Sequence, residues 1–171
     1  MTDPLRLVRI PTPLGPFQVA CSSDGVVATD FADDESDRAA FGDRLGERHG
    51  VPVRRSGADL ASVRREVRDY FAGCRQVFAT PVDLRWGPTG FARRVLEVTA
   101  TIPFGELWTY GDLAGMAGSP RGGRAAGNAL RICPIELFVP CHRVVHAGGS
   151  MGGYGRHDER KRWLIRFETH A

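Results

Sequence analysis

The residues best suited to chemistry stand together in the segment Pro140-Cys141-His142-Arg143. A cysteine at its reference pKa is only a few per cent thiolate near neutral pH, so a nucleophilic role requires a base or a positive charge beside it. His142 and Arg143 are residues of these two kinds. Because adjacent residues of a strand point to opposite faces, we expect His142 to act on Cys141 through a water molecule. An orienting carboxylate would complete a cysteine-histidine-acid relay.

The same segment also contains the side chains of a possible metal site. Four zinc-ligand side chains lie within fourteen residues: Cys133, Cys141, His142 and His146. Consecutive residues such as Cys141 and His142 rarely bind one tetrahedral ion, and the paired short spacings of zinc motifs are missing. Nucleophilic chemistry without a metal or a cofactor is therefore the favoured hypothesis, and zinc binding is the alternative.

The basic residues are unevenly distributed along the 171-residue chain, whose net charge is +3. Residues 1–85 hold 12 basic and 13 acidic side chains, whereas residues 86–171 hold 11 basic and 7 acidic ones. A basic excess in the second half is typical of a nucleic-acid-binding surface. Every basic residue except Lys161 is an arginine, and a GC-rich coding sequence explains that preference equally well.

Composition excludes several classes of protein. The hydrophobic content of 42% is too high for a disordered chain, and no apolar stretch is long enough for a membrane span. The N-terminus lacks the uninterrupted apolar run of a secretory signal. The four cysteines form no CxxC pair, so free thiols are favoured over disulfides. We therefore expect a soluble, cytoplasmic protein.

Two short helices are predicted ahead of the reactive segment, and together they form the pattern of a helix-turn-helix. Thr109 and Asp112 form a capping box at the start of the first helix. The second helix is predicted to carry Arg121, Arg124 and Arg131 among small residues such as Ala125. Small side chains let a helix approach another surface closely. That surface is either a nucleic-acid groove or the interior of the protein.

The remaining elements are predicted to be a scaffold. Short apolar runs in the first thirty residues indicate an antiparallel meander. Two helices follow, one around 39–48 and one capped by Asp59 and ending at Gly73. Prolines and a glycine near 81–88 indicate a boundary between two domains, 1–85 and 86–171. The reactive cysteine is expected at the end of a buried extended run over 135–145.

Five segments of the second half resemble, in their order, the O6-alkylguanine-DNA alkyltransferases, also called methylated-DNA–protein-cysteine methyltransferases. These segments are TYGDLAGMAG, RGGRAAGNALR, PCHRVV, GGYG and KRWLIRFE. The resemblance continues upstream through GPTGFARRVLEVTATIPFGELWTYG, PVDL and YFAGCRQVF, and more loosely to TPLGPFQVACSSDGVVATDF. It therefore covers nearly the whole chain.

The resemblance implies a fold and an activity. Residues 1–85 would form a ribonuclease-H-like α/β domain, and residues 86–171 a mostly α-helical domain with a winged helix-turn-helix. The activity would be DNA repair in a single turnover. A methyl or small alkyl group would pass from O6-alkylguanine in double-stranded DNA, after nucleotide flipping, to a cysteine of the protein. O4-methylthymine is a second candidate lesion, and a monomer without cofactor or metal is expected.

The family's functional residues can be placed on this sequence one by one. Cys141 matches the alkyl acceptor, His142 the base that acts through water, and Glu168 the carboxylate that orients it. Tyr110 matches the tyrosine that supports nucleotide rotation and protonates the guanine N3. Arg124 matches the arginine that enters the duplex in place of the flipped base, and Tyr154 lies in the loop that covers that base. The other candidates for substrate or DNA contacts are Arg121, Ala125, Arg131 and Arg143.

Three residues depart from the family pattern. Cys133 replaces an asparagine that bridges the recognition helix to the active-site strand, so we expect either weaker coupling between DNA binding and thiol activation or another group in the place of the asparagine. The alternative is that Cys133 is a second thiol near the site. Glu136 stands where a proline or small residue is common, and a carboxylate there would raise the pKa of the thiol. Arg156 replaces a position that is often glycine, and its bulk is expected to narrow the pocket against benzyl-sized adducts.

Two other classes of function remain open from the sequence. The first is a lesion sensor that flips the alkylated base and marks it for another repair pathway without transfer. Such relatives usually carry tryptophan in place of the cysteine, so Cys141 argues against a sensor. The second class comprises a helix-turn-helix transcriptional regulator and a transferase that takes alkyl groups from something other than DNA. The chain shows neither an appended effector domain nor a dimerisation heptad.

Overall fold

The computed structural model describes residues 3–154 and 158–170, except for the side chain of Arg38. The chain divides into two compact units, residues 1–86 and 87–171. Each unit has a hydrophobic core cluster of its own. Within the described ranges, every helix falls short of the length and apolarity that a bilayer crossing requires.

The first unit is built on a four-stranded sheet in the order β3-β2-β1-β4. Strands β1 (Leu5–Thr12), β2 (Gly15–Cys21) and β3 (Val26–Phe31) form the predicted antiparallel meander, which is therefore confirmed. The fourth strand, β4 (Val53–Arg55), pairs in parallel with the start of β1. Sequence analysis missed β4, because three residues are too few for the alternation that marks a strand.

Two helices complete this unit. Helix α1 (Glu35–His49) begins earlier than predicted, because the Asp34 side chain accepts a hydrogen bond from the Asp37 backbone N at 2.9 Å and caps it. Helix α2 (Ala61–Phe71) starts after Leu60, so the predicted Asp59 cap is wrong. Asp59 instead accepts a hydrogen bond from Ser56 Oγ at 2.7 Å.

The second unit is mostly helical. Its elements are α3 (Gly90–Thr99), β5 (Trp108–Thr109), α4 (Tyr110–Met116), α5 (Gly123–Arg131), β6 (Val144–Val145) and α6 (Asp158–Thr169). Helices α3, α4 and α5 pack against one another, and β5 pairs in parallel with β6. The Thr109–Asp112 capping box at the start of α4 is confirmed. Helices α4 and α5 and the turn between them form the predicted pair of short helices.

Two predictions about local structure in this unit are wrong. Cys141 does not lie on a strand, because residues 141–143 form a turn of 3-10 helix after Pro140 and only Val144–Val145 of the expected run are extended. Leu137, with a φ of 72°, also interrupts the extended backbone. Arg121 precedes α5 and lies in the turn that leads into it.

Candidate active site

A buried charged network connects the 3-10 turn to the last helix. His142 Nε2 lies 2.8 Å from Glu168 Oε1, and Arg143 donates from Nε to Glu168 Oε2 at 2.8 Å and from Nη2 to Oε1 at 2.8 Å. The Gly105 backbone N also donates to Glu168 Oε2, at 3.2 Å. Burial alone would raise the pKa of Glu168, but the hydrogen bonds from His142 and Arg143 hold it well below its usual range. Glu168 is therefore ionised.

The spacing of residues on α6 explains why Glu168 reaches this network. Lys161, Leu164 and Glu168 are the buried residues of that helix, and their separations of three and four positions place them on one face. The 3-10 turn places His142 and Arg143 opposite that face. The structure thus brings Glu168 into contact with His142 and Arg143, which lie 26 and 25 positions earlier in the sequence.

The ionised Glu168 determines the tautomer of His142. A carboxylate can only accept a hydrogen bond, so the proton of a neutral His142 ring must lie on Nε2, and Nδ1 carries the lone pair. Nδ1 is buried and has no hydrogen-bond partner among the described residues. Burial lowers the pKa of His142, and the bond to Glu168 opposes that change only in part. His142 is therefore neutral, and its Nδ1 can accept a proton.

The Cys141 thiol is buried, with 6% of the residue exposed. Its pKa is raised well above its usual value, first by the neighbouring Cys133 thiol, then by burial and by the negative charge of Glu136. Lys161 acts in the opposite direction and lowers that pKa. In the resting protein the thiol is therefore protonated, and it must lose its proton when it reacts.

Lys161 is a site residue that sequence analysis missed. It is only 1% exposed, and its Nζ donates to the Val144 carbonyl oxygen at 2.6 Å. Nζ also lies 5.8 Å from the centroid of the Tyr110 ring. Burial lowers the pKa of Lys161 to about 8, and Cys141 acts in the opposite direction. Its being the one lysine in an arginine-rich chain was a signal that could have identified it.

A cavity of about 170 Å³ opens beside the thiol. Its walls come from α4, α5, the 3-10 turn and the segment before α6, and its lining residues are Tyr110, Gly127, Leu130, Arg131, Glu136, Cys141, Gly153 and Tyr154. A cavity of about 150 Å³ is enough to hold a benzene ring. The site can therefore admit a planar ring next to Cys141.

Tyr110 lies at the wall of this cavity next to two glycines. A Cβ atom on Gly127 would lie 3.7 Å from the Tyr110 ring, and one on Gly152 would lie 2.6 Å from its hydroxyl. Gly152 also has a φ of 64°, which favours glycine. Burial and the nearby Cys141 raise the pKa of Tyr110. The hydroxyl therefore keeps its proton and can donate it into the cavity.

Most of the residues predicted to contact DNA are exposed. Arg121, Arg124, Ala125 and Arg131 are exposed, whereas Ala126 and Ala129 of the same helix are buried in the core of the second unit. The interpretation that the small-residue helix packs against the protein interior is therefore confirmed for the face of Ala126 and Ala129, and DNA contact stays a prediction for the exposed face. Arg131 also lines the cavity. Tyr154 is buried at the cavity wall, with its ring centroid 6.4 Å from that of His142.

Arg143 has a different role from the predicted DNA contact. It is only 6% exposed, and its guanidinium donates to Glu168 and to the Ile102 carbonyl oxygen. It also lies 5.7 Å from the centroid of the Phe104 ring. A contact with a phosphate would break these bonds, so Arg143 serves to hold Glu168 in place. Arg156, the third departure from the family pattern, lies outside the described residues.

The alternative of a zinc site finds no support in this geometry. Among residues 3–154 and 158–170, no three side chains of His, Cys, Asp or Glu converge in a way that could hold a metal ion. His142 Nε2 is occupied by Glu168, and the His146 ring lies beside Tyr110, with 4.9 Å between their centroids. The four candidate ligands therefore do not act together.

Comparison with known proteins gives matches over both units. Residues 8–84 match the ribonuclease-like domain of 6-O-methylguanine DNA methyltransferase, and residues 90–170 match its DNA-binding domain. The methylated-DNA–protein-cysteine methyltransferase of Salmonella typhimurium is 36% identical over 166 residues, which is 96% of each chain. A DNA base-flipping protein of Thermus thermophilus is 38% identical over 163 residues, covering 93% of this chain and 97% of that one.

Solved structures match over nearly the same length. The crystal structure of Mycobacterium tuberculosis OGT in complex with DNA has a TM-score of 0.81 and 30% sequence identity, and the match covers 96% of this chain and 93% of that one. The Mycobacterium tuberculosis O6-methylguanine methyltransferase has a TM-score of 0.78 and 29% identity, covering 98% and 93% of the two chains.

Proposed function

The chain belongs to the 6-O-methylguanine DNA methyltransferase family, and we propose that Cys141 is the residue that accepts the alkyl group in its reaction. The function is DNA repair by direct reversal, in which one protein molecule removes one alkyl group and is consumed. One observation carries the assignment of Cys141. Cys141 lines a cavity that can hold a planar ring, and the next residue in the chain is His142 of the buried His142–Glu168 pair.

The substrate we propose is O6-alkylguanine in double-stranded DNA. Inside a duplex the O6 substituent is not aligned with a thiol, so the nucleotide must rotate out at a cost of a few kcal/mol. The exposed face of α5 carries Arg124, which we assign to the space that the base leaves in the stack. Arg121 and Arg131 are also exposed and are assigned to the DNA backbone.

The transfer is a displacement at carbon. The sulfur of Cys141 forms a bond to the methyl carbon while the bond from that carbon to guanine O6 breaks. The thiol proton passes towards His142 Nδ1, through water, and the guanine gains a proton from the Tyr110 hydroxyl at N3. These two transfers leave a proton on His142 and a phenolate at Tyr110, and the proton on His142 then restores the Tyr110 hydroxyl. The net change is the transfer of the thiol proton to the guanine. The thioether that remains on Cys141 is not hydrolysed, so each protein molecule reacts once.

The buried charges around the thiol control the proton transfer. Glu168 keeps the proton of His142 on Nε2, which leaves Nδ1 free to accept one. Arg143 neutralises Glu168 and keeps it from taking the proton itself. Lys161 supplies positive charge that favours the thiolate as it forms. Each residue thus has a separate task in making a buried, weakly acidic thiol reactive.

Cys133 and Glu136 oppose this activation. Both raise the pKa of Cys141 in the structure, the Cys133 thiol as the largest cause and Glu136 through its charge. We propose that these departures make the thiol less reactive than an asparagine and an uncharged residue at those positions would. The expectation from sequence that Glu136 raises this pKa agrees with the direction found here.

The finer architecture is part of the same proposal. The antiparallel meander with a parallel fourth strand is offered as the ribonuclease-H-like sheet, and α4, α5 and the short β5-β6 pair as a winged helix-turn-helix. We also propose that the protein acts as a monomer, because the described lining of the cavity comes from residues 110–154 and requires no second subunit. The cytoplasm is the proposed location for a protein that acts on DNA.

Mass spectrometry tests the assignment directly. The protein is mixed with a duplex that contains one O6-methylguanine, and we expect one protein equivalent to gain the mass of one methylene group at Cys141. Cys141→Ser must abolish this gain. Cys74→Ser, at an exposed cysteine, is the matched control and must not change it. Tight binding of the lesion without a change in mass would contradict the proposal and indicate a lesion sensor.

A further inference from the structure

The first unit contains a cleft that the repair reaction does not use. Its volume is about 250 Å³, and all of its lining residues belong to the unit formed by residues 1–86. Three arginines line it, Arg9, Arg55 and Arg64, together with Gln18 and the chain at 7–8 and 56–57. This concentration of donors needs an explanation that the chemistry of Cys141 does not supply.

The cleft exists because β4 is short. It pairs only with Leu5, Arg6 and Leu7 of β1, and the last bond on that side runs from Ser56 N to the Leu7 carbonyl oxygen at 3.0 Å. Beyond Leu7 the chain from β4 turns away towards α2, so β4 no longer covers the edge of β1. The cleft lies at this point, and its lining includes Arg9 of β1, Arg55 of β4 and Arg64 of α2.

Gln18 is the unusual residue of the cleft. It lies on β2 directly opposite Arg9 and is only 1% exposed. Its Nε2 is buried and has no hydrogen-bond partner among the described residues. A buried amide donor without a partner is destabilising, and most buried polar groups in native proteins are paired. Nε2 has almost no exposed surface in this structure, so the amide reaches an acceptor in the cleft only by turning towards it.

The described lining of the cleft carries positive charge, with three arginines and no acidic residue, although Asp59 accepts a hydrogen bond from the lining Ser56 and Asp30 lies opposite Gln18 on β3. Within the described part of the chain, no carboxylate forms an ion pair with Arg55 or Arg64. Arg9 has only a long contact, 3.9 Å from Nη1 to Glu35 Oε1. The Arg64 guanidinium extends over Gly57, since a Cβ there would lie 3.5 Å from its Nη2. Arginine forks match the oxygens of a phosphate group.

We propose that this cleft binds the phosphate group of a phosphate ester, held by the guanidinium groups of Arg55 and Arg64 and by the Gln18 amide. Small-molecule sites usually begin at about 300 Å³, so the cleft suits a phosphate and a small part of what it is attached to. A free nucleotide and the backbone of DNA both present this chemistry. The proposal does not depend on Cys141.

Nuclear magnetic resonance of the full-length, nitrogen-15-labelled protein tests the site. Inorganic phosphate is titrated at constant ionic strength, and the Gln18 side-chain amide signals should shift and reach saturation. Arg55→Gln and Arg64→Gln should each weaken phosphate binding by roughly tenfold or more, because each removes a charge-assisted hydrogen bond. Arg54→Gln is the matched control. It removes the same charge from the neighbouring position of β4, whose side chain points to the other face, and should leave the affinity unchanged.

Gln18→Met separates binding from a structural role. This variant should weaken phosphate binding and at the same time raise the free energy of unfolding, because it removes a buried donor without a partner. A structural amide would instead lower the free energy of unfolding when it is replaced. Equal losses of phosphate affinity in Arg54→Gln and Arg55→Gln would overturn the proposal, because they would show that phosphate responds only to the net positive charge of the surface.

Two further titrations identify the source of the phosphate. Deoxyguanosine monophosphate represents a free nucleotide, and an undamaged duplex represents the DNA backbone. A saturable Gln18 shift that Arg55→Gln weakens supports the site in either titration and assigns the source. If phosphate, the nucleotide and the duplex all leave the Gln18 signals unchanged, the cleft is not a phosphate site. Methyl transfer is not the readout, so a negative result leaves the repair function untouched.

Discussion

Replacing Lys161 with methionine tests whether a buried ammonium group stands beside the reactive thiol. The pKa of Lys161 falls from its ordinary value of 10.5 to about 8 because the side chain is buried. The unfolded chain therefore keeps this proton up to about pH 10.5, whereas the folded protein releases it near pH 8. Folding is thus favoured progressively as the pH rises between these two values. The difference corresponds to about 3 kcal/mol of unfolding free energy.

The measurement is denaturant unfolding at several pH values from neutral to alkaline. Cys141→Ser is compared with Cys141→Ser/Lys161→Met, so that titration of the thiol does not contribute. We expect the free energy of unfolding of the lysine protein to gain about 3 kcal/mol relative to the methionine variant. The gain should be small below pH 8 and should increase above it. If the free energies of unfolding of the two proteins change in parallel with pH, the reasoning is refuted.

Thiol reactivity gives a second, independent readout of Lys161. Because Lys161 lowers the pKa of Cys141, Lys161→Met in the protein with its native cysteine should slow alkylation of Cys141 by iodoacetamide at neutral pH. The exposed Cys74 is the internal reference and should react at an unchanged rate. Equal alkylation rates of Cys141 in the two proteins would show that the ammonium group does not favour the thiolate.

Three further predictions concern the charged network, the second thiol and the DNA surface. Glu168→Gln should slow methyl transfer by about 10²–10⁴-fold. It should also remove the part of the free energy of unfolding that the native protein loses on acidification below the ordinary Glu pKa of 4.5. If the free energy of unfolding falls equally with acid in both proteins, Glu168 is not ionised. Cys133→Asn should lower the pKa of Cys141 and speed methyl transfer from a duplex, and an unchanged single-turnover rate would count against the proposed coupling. Arg121→Gln should flatten the slope of log affinity against log salt by about one, whereas an unchanged slope would exclude a phosphate contact.

The elements predicted correctly are those with short-range signals. The meander follows from alternating apolar residues between turns, and the start of α4 from the reciprocal hydrogen bonds of Thr109 and Asp112. The predicted Asp59 cap failed because the carboxylate had a competing partner in Ser56, only three residues away. Strand β4 was missed because its three residues are too few to show alternation and because its partner, β1, lies more than forty residues earlier in the chain.

The sequence by itself determined which groups are present and in which order. The segment from Pro140 to Arg143, the small-residue helix with its arginines and the series of family segments were enough to indicate a cysteine that takes an alkyl group from DNA. These are matters of residue type and local spacing. The exposure of Arg124 and the burial of Ala126 also follow the helical period.

Only the tertiary structure decided which of those groups pair with one another and which are ionised. It turned Arg143 inward to Glu168, placed Lys161 beside the thiol and left the Gln18 amide buried in a cleft of arginines. The physical reason is that protonation states and the roles of arginines depend on burial and on partners within a few ångströms. Those partners come from distant parts of the chain, and no local pattern of residues encodes their distances.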